Sequence, residues 1–246
     1  HQCKSPHIAL ITNVFPDHLN RYPSMRAYIA SKGNIFKYQK PRDVVFVNRG
    51  DRLLRTLTKH APGRVNLFDP RTTLRPFRRA ITQEIPAYHI PNIAAAVAVA
   101  KYLGVGERAI RQVLRRFRGM PGRMEPVRTI RGITFINDTT ATNPEAAARA
   151  VAEVKRRVGK HRLILIAGGY DKGLPLETFI RAIKRHAAVV VLLPGTATVR
   201  MKLKIRNAKR VMICDARAMV EAVRKAFTVA MRGDVVLLSP GAASFG

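Results

Sequence analysis

Tryptophan is absent from the 246 residues, cysteine occurs twice, and acids are scarce: 15 Asp and Glu stand against 45 Lys and Arg. Cys3 and Cys214 lie far apart with no spacing partner, which argues against a disulfide framework or a thiolate zinc site. No apolar run reaches the roughly 20 residues of a membrane span, and no signal-peptide pattern opens the chain, so a reduced, cytoplasmic setting is expected. The shortage of acids leaves a formal charge of +30, a surplus that attracts polyanions. The basic residues are nevertheless spread over the whole length. Their clusters, Arg115-Arg116-Phe117-Arg118, Lys155-Arg156-Arg157 and 202–210, sit within or beside amphipathic helical patterning, where a solvated face is the usual reading. With no Trp and little aromatic interleaving, a nucleic-acid partner is not expected, and a basic nucleic-acid-binding module is the alternative reading.

Apolar residues make up 47% of the chain, enough for a sizeable core. Strands are expected at 7–12, 44–47, 64–68, 127–130, 133–136, 163–166, 189–193, 211–213 and 235–238. Between them, helical spacing marks 24–38, 52–59, 91–103, 106–117, 144–158, 176–186, 196–203 and 216–231. The segment 71–85 reads as loop or short strands. Apolar strands alternating with amphipathic helices predict an α/β fold with mainly parallel sheets. The hinge Gly119-Met120-Pro121-Gly122-Arg123 divides the chain into domains at 1–119 and 120–246.

The stretch 136–145 carries the strongest local signal. Apolar residues run into Asn137-Asp138, a Thr-rich turn follows, and Asn143-Pro144 has the residues of an N-cap and a first helical position. A carboxylate, several hydroxyls and a helix N-terminus therefore converge at one strand end, the edge where α/β sheets bind ligands. Gly168-Gly169-Tyr170-Asp171-Lys172-Gly173 and Ser239-Pro240-Gly241-Ala242-Ala243-Ser244 follow two other strands. The paired glycines suit a close backbone approach to a ligand, and Lys172 suits a phosphate or carboxylate.

Taken together, these residues resemble the Mur ligases, within them the branch that adds D-glutamate to UDP-N-acetylmuramoyl-L-alanine. The segments that carry the resemblance run in order along nearly the whole chain: 13–22, Ala30-Ser31-Lys32-Gly33-Asn34-Ile35-Phe36, Pro121-Gly122-Arg123-Met124-Glu125, 137–143, 168–173 and 237–245. The resemblance implies the later half of a P-loop type, mononucleotide-binding ATPase domain, followed by a Rossmann-like domain that binds the amino acid. It implies a monomeric, ATP- and Mg²⁺-dependent ligase of cell-wall precursor synthesis that forms an amide through an acyl phosphate. His18, Lys32 and Lys172 fall closest to the chemistry. His18 matches a Mg²⁺ ligand, and Lys32 matches a lysine carbamylated to help hold a second metal. Asn92 and Arg123 match nucleotide contacts, and Asp138 the residue that holds the ribose. Thr142, Lys172, Ser244 and Phe245 fall at or beside positions that bind D-glutamate or close over the acyl phosphate.

The chain departs from the family pattern in three places. None of its residues forms the Gly-rich phosphate loop ending in Lys-Thr or Lys-Ser, which reads as a partial chain. Thr140 stands where better-known members carry Lys. Of the family's His-Asn-x-x-Asn, Tyr88-His89-Ile90-Pro91-Asn92 keeps only the final Asn, so a role is expected for Asn92 and not for His89.

Overall fold

A computed structural model describes residues 4–14, 22–82, 85 and 87–244. The chain divides into two compact units, His1–Arg118 and Gly119–Gly246.

The first unit is built on a parallel sheet of β1 (Ile8–Ile11), β2 (Val44–Asn48) and β3 (Arg64–Phe68), with β2 in the middle. Successive side chains of a strand face opposite ways, so β2 feeds two cores. Val45 and Val47 pack with Tyr28 and Phe36 of α1 (Met25–Lys37) and Leu54 of α2 (Arg52–Leu57). Val44 and Phe46 pack with Ile93 and Val97 of α4 (Ile90–Tyr102) and Ile110 and Leu114 of α5 (Glu107–Arg116). Ser24 caps α1, its hydroxyl accepting the Ala27 N–H at 3.2 Å.

One expectation fails here. Residues 71–85 were expected as loop or short strands, but the described part is helical: α3 (Pro70–Thr73) and a 3-10 helix (Arg75–Ala80). Pro70 occupies the first turn of α3, and the Asp69 carboxylate accepts the Arg71 N–H at 2.8 Å. Arginines mask the apolar period of the 3-10 helix, in which Phe77 and Ala80, one three-residue turn apart, point inward.

The second unit holds a six-stranded sheet in the order β4-β5-β9-β6-β7-β8. The strands are β4 (Glu125–Ile130), β5 (Ile133–Asn137), β6 (Leu163–Gly168), β7 (Ala187–Leu193), β8 (Met212–Asp215) and β9 (Val235–Leu238). Only the β4–β5 hairpin is antiparallel, which bears out the mainly parallel α/β expectation. Helices α6 (Pro144–Val158), α7 (Glu177–His186), α8 (Thr196–Ile205) and α9 (Met219–Val229) link the parallel strands. β6 is buried along its whole length, as a central parallel strand requires. At its start Arg162 donates to Asp234 from the backbone at 3.1 Å and from Nη2 at 2.6 Å, fixing β6 against the entry to β9. Among the described residues no helix is long and apolar enough to cross a membrane.

Asn143 closes the N-terminus of α6, its Oδ1 accepting the Ala146 N–H at 2.8 Å. Asn143→Ala is expected to lower the unfolding free energy of this unit by about 1 kcal/mol, measured by urea denaturation.

Candidate active site

The three polar loops singled out from sequence follow β5, β6 and β9, which are neighbours in the sheet. Backbone hydrogen bonds join them, with the loop after β9 in the middle. Gly241 N–H donates to the Ala141 carbonyl at 2.9 Å and Gly168 N–H to the Pro240 carbonyl at 2.9 Å, while Tyr170 and Ala243 exchange N–H···O bonds of 2.9 and 3.0 Å. The glycine pair serves this joining, a different use from the one expected. A Cβ on Gly169 would meet the Ala243 carbonyl oxygen at 2.4 Å, and one on Gly168 would meet Thr198 Oγ1 at 2.4 Å. The space these glycines leave is filled by the protein's own chain.

Asp138 sits at the end of β5, opposite the end of β9. Its backbone N–H donates to the Leu238 carbonyl at 2.8 Å. Its carboxylate accepts the Met124 N–H at 3.1 Å and the Ser239 hydroxyl at 2.8 Å. Asp138 is 4% exposed and Ser239 fully buried. Burial pushes the Asp138 carboxyl up to about 6, against the downward pull of the Ser239 hydroxyl, the Met124 N–H and the Arg123 charge. Arg123 itself is exposed, in the turn before β4. Glu125 organises that turn, accepting the Gly122 N–H at 2.8 Å and the Asn137 amide at 3.2 Å. Thr140 donates its hydroxyl to the Gly122 carbonyl at 2.8 Å.

The structure brings Thr142 and Lys172 together. The Lys172 ammonium lies 3.3 Å from Thr142 Oγ1, beside the N-terminus of α6. Both line a small cleft with Pro144, Tyr170 and Gly241. Asp171, also at the cleft, is engaged by Arg200. An ammonium, a hydroxyl and a helix N-terminus form an electropositive corner suited to a carboxylate or phosphate. Ser244 is exposed at the end of the neighbouring loop.

In the first unit Lys32 is exposed on α1, its Nζ 5.1 Å from the Tyr28 ring centroid. Asn92 is exposed in the first turn of α4, and His89, just before that helix, is buried. His18 and Phe245 lie outside the described residues. Among the described residues no three His, Cys, Asp or Glu side chains gather to hold a metal.

Ser239 and Glu125 stood in segments singled out from sequence, but neither had a role assigned. Ser239 follows an apolar strand like any loop hydroxyl, and only the pairing of β5 with β9 sets it against a carboxylate 101 residues away. Glu125 left a fainter trace, an acid close after a Pro-Gly turn.

The family description "Mur ligase middle domain" matches residues 1–83, and "Mur ligase, glutamate ligase domain" matches 122–241. The UDP-N-acetylmuramoylalanine--D-glutamate ligase of Desulfitobacterium hafniense (strain Y51) is 34% identical over 258 residues, covering 97% of this chain and 56% of the relative. The enzyme of the same name from Roseiflexus sp. (strain RS-1) is 36% identical, covering 98% and 57%. The chain thus spans little more than half the length of these relatives. Among solved structures, the MurF ligase of Thermotoga maritima in complex with ADP aligns with a TM-score of 0.74 at 16% identity, covering 95% of this chain and 58% of that one. E. coli FolC in complex with DHPP and ADP aligns with a TM-score of 0.72 at 17% identity, covering 96% and 58%. Those two share its fold, and with both domain descriptions matched in order along most of its length, this chain belongs to the Mur ligase family.

Proposed function

We propose that the chain is the nucleotide- and amino-acid-handling part of an ATP-dependent ligase that adds D-glutamate to UDP-N-acetylmuramoyl-L-alanine. The observation that carries this reading is the Lys172–Thr142 pair at the N-terminus of α6. The names of the relatives in Desulfitobacterium and Roseiflexus, and the ADP in two structures of the same fold, support it.

In the proposed reaction a carboxylate oxygen of the UDP-linked substrate attacks the γ-phosphorus of ATP and ADP leaves. The D-glutamate amine then attacks the acyl carbon. Phosphate departs with the C–O electron pair, the nitrogen loses its proton and an amide remains. Lys172 and Thr142 hold a carboxylate of D-glutamate, with Ser244 and Phe245 beside them. Asp138, braced by Ser239 and the Met124 N–H, holds the ribose, and Arg123 and Asn92 contact the nucleotide. His18 and Lys32, the family's metal positions, would hold Mg²⁺, which would neutralise charge on the phosphates.

Lys172→Ala in the complete ligase is expected to raise KM for D-glutamate by about tenfold or more, with KM for ATP nearly unchanged, because one desolvated charge-assisted bond is lost. Equal changes in both constants would point to a collapsed site. A polypeptide of these 246 residues alone is expected to leave ATP intact, because no Gly-rich loop among them can cradle the triphosphate. ADP formation above background, abolished by Asp138→Ala, would contradict that.

A further inference from the structure

Two segments of the first unit, 69–80 and 107–118, hold nine arginines, no lysine and two acids. They are 27 or more residues apart in the chain, and the fold packs them against each other. Arg111 of α5 lies over the Phe77 ring of the 3-10 helix at 5.1 Å and donates to the Pro76 carbonyl. Both acids are committed locally: Asp69 caps α3, and Glu107 pairs with Arg111 at 2.7 Å.

Helix geometry shows what this staple gathers. At about 100° per residue, Arg108 and Arg115 lie about 40–60° round α5 from Arg111, on the same side of that helix. In the 3-10 helix Arg75 and Arg78 stack one three-residue turn apart, and Arg79 lies a third of a turn round from them. All five guanidinium-bearing residues are exposed. Val113, the large exposed apolar residue of α5, lies about 200° from Arg111, on the far flank, and 69–80 exposes no large apolar side chain.

An anionic bilayer is gripped by basic residues mixed with apolar ones that insert, and the seam lacks the apolar part. Guanidinium forks lining both sides of a seam match a row of phosphates, each able to take two parallel N–H···O bonds. No exposed aromatic ring in the seam offers a stacking platform, so bases go unread. We infer that this arginine seam binds the phosphate backbone of nucleic acid without regard to sequence. This revises the expectation drawn from composition, which treated each basic cluster as a separate solvated face. It stands apart from the proposed ligase chemistry and uses none of its residues.

The test uses the complete gene product and a fluorescein-labelled 20-nucleotide strand of random sequence, followed by anisotropy between 50 and 300 mM salt. The triple variant Arg75→Glu, Arg79→Glu, Arg115→Glu is expected to weaken binding by at least about tenfold. It should also reduce the slope of log affinity against log salt by about 2–3, one phosphate contact per charge. Melting temperature and ligase turnover should stay at their original values. The same positions changed to alanine should show a smaller loss in the same direction. The reference is an equal reversal in the second unit, Lys160→Glu, Arg206→Glu, Lys209→Glu, which should leave most of the affinity intact. The proposal is overturned if both reversals weaken binding equally, if no binding occurs at 50 mM salt, or if phosphatidylglycerol vesicles bind through the same three arginines more tightly than the strand. It also fails if both seam variants lower the melting temperature, since the arginines would then be packed rather than presented.

Discussion

Gly169→Ala is expected to destabilise the Gly119–Gly246 unit by roughly 3 kcal/mol or more. Two independent effects add. Gly169 has φ 139°, a conformation L side chains rarely adopt, and the new Cβ would stand 2.4 Å from the Ala243 carbonyl oxygen. That oxygen is fixed by the Tyr170 N–H at 2.9 Å, so it cannot retreat without breaking the bond that joins the loops after β6 and β9. Gly173 supplies the control. Its φ is 69° but nothing lies within 4 Å of its Cβ position, so Gly173→Ala should cost only about 1–2 kcal/mol of backbone strain. Urea denaturation of the two variants separates strain from overlap. Equal losses would mean that the Gly169–Ala243 approach is looser than described. The Lys172 corner lies in the loop that Gly169 begins, so the same substitution should also weaken D-glutamate binding in the complete ligase.

The second large effect comes from Asp138. Its carboxyl ionises near 3.8 in the unfolded chain and at about 6 in the folded one. Between those values the folded unit binds a proton that the unfolded chain does not, so this group adds stability as pH falls and loses it as pH rises through 6. At neutral pH the ionised carboxylate opposes folding by up to roughly 3 kcal/mol. Asp138→Asn removes that charge while keeping an acceptor for the Met124 N–H. The stability difference between variant and parent should therefore be small at pH 4, grow through pH 6 and level off above pH 7, with the variant more stable. If Asp138 holds the ribose as proposed, ligase activity should move the other way, because the carboxylate is replaced by an amide. A flat difference curve from pH 4 to 8 would contradict the assignment of this shift to Asp138.

How far the sequence could be read depended on the range of the interactions. β2, β9 and α6 were legible because their signals are local: unbroken apolar runs, or an Asn-Pro cap before an alanine-rich amphipathic stretch. The 70–80 segment was not, because two prolines and four arginines hide a pair of inward positions, Phe77 and Ala80. β4 was read two residues short, as 127–130. It is an exposed strand with no buried face to imprint a period. Within the candidate site, the Asp138 turn and Lys172 were visible in sequence as residues. The hydroxyl that braces Asp138 was not, since Ser239 reaches it only through the order of strands in the sheet. The arginine seam is the strongest case. Arg115-Arg116 was visible as a run, but its meeting with Arg75, Arg78 and Arg79 required the fold.

The measurement that tests the central claim most directly is ADP release by the complete gene product, given ATP, Mg²⁺, UDP-N-acetylmuramoyl-L-alanine and one amino acid at a time. ADP formation is predicted with D-glutamate, accompanied by one amide per ADP, with L-glutamate and D-alanine near background and with Lys172→Ala needing far more D-glutamate to reach the same rate. Equal turnover with several amino acids, or amide formation unaffected by loss of the Lys172 ammonium, would contradict the account.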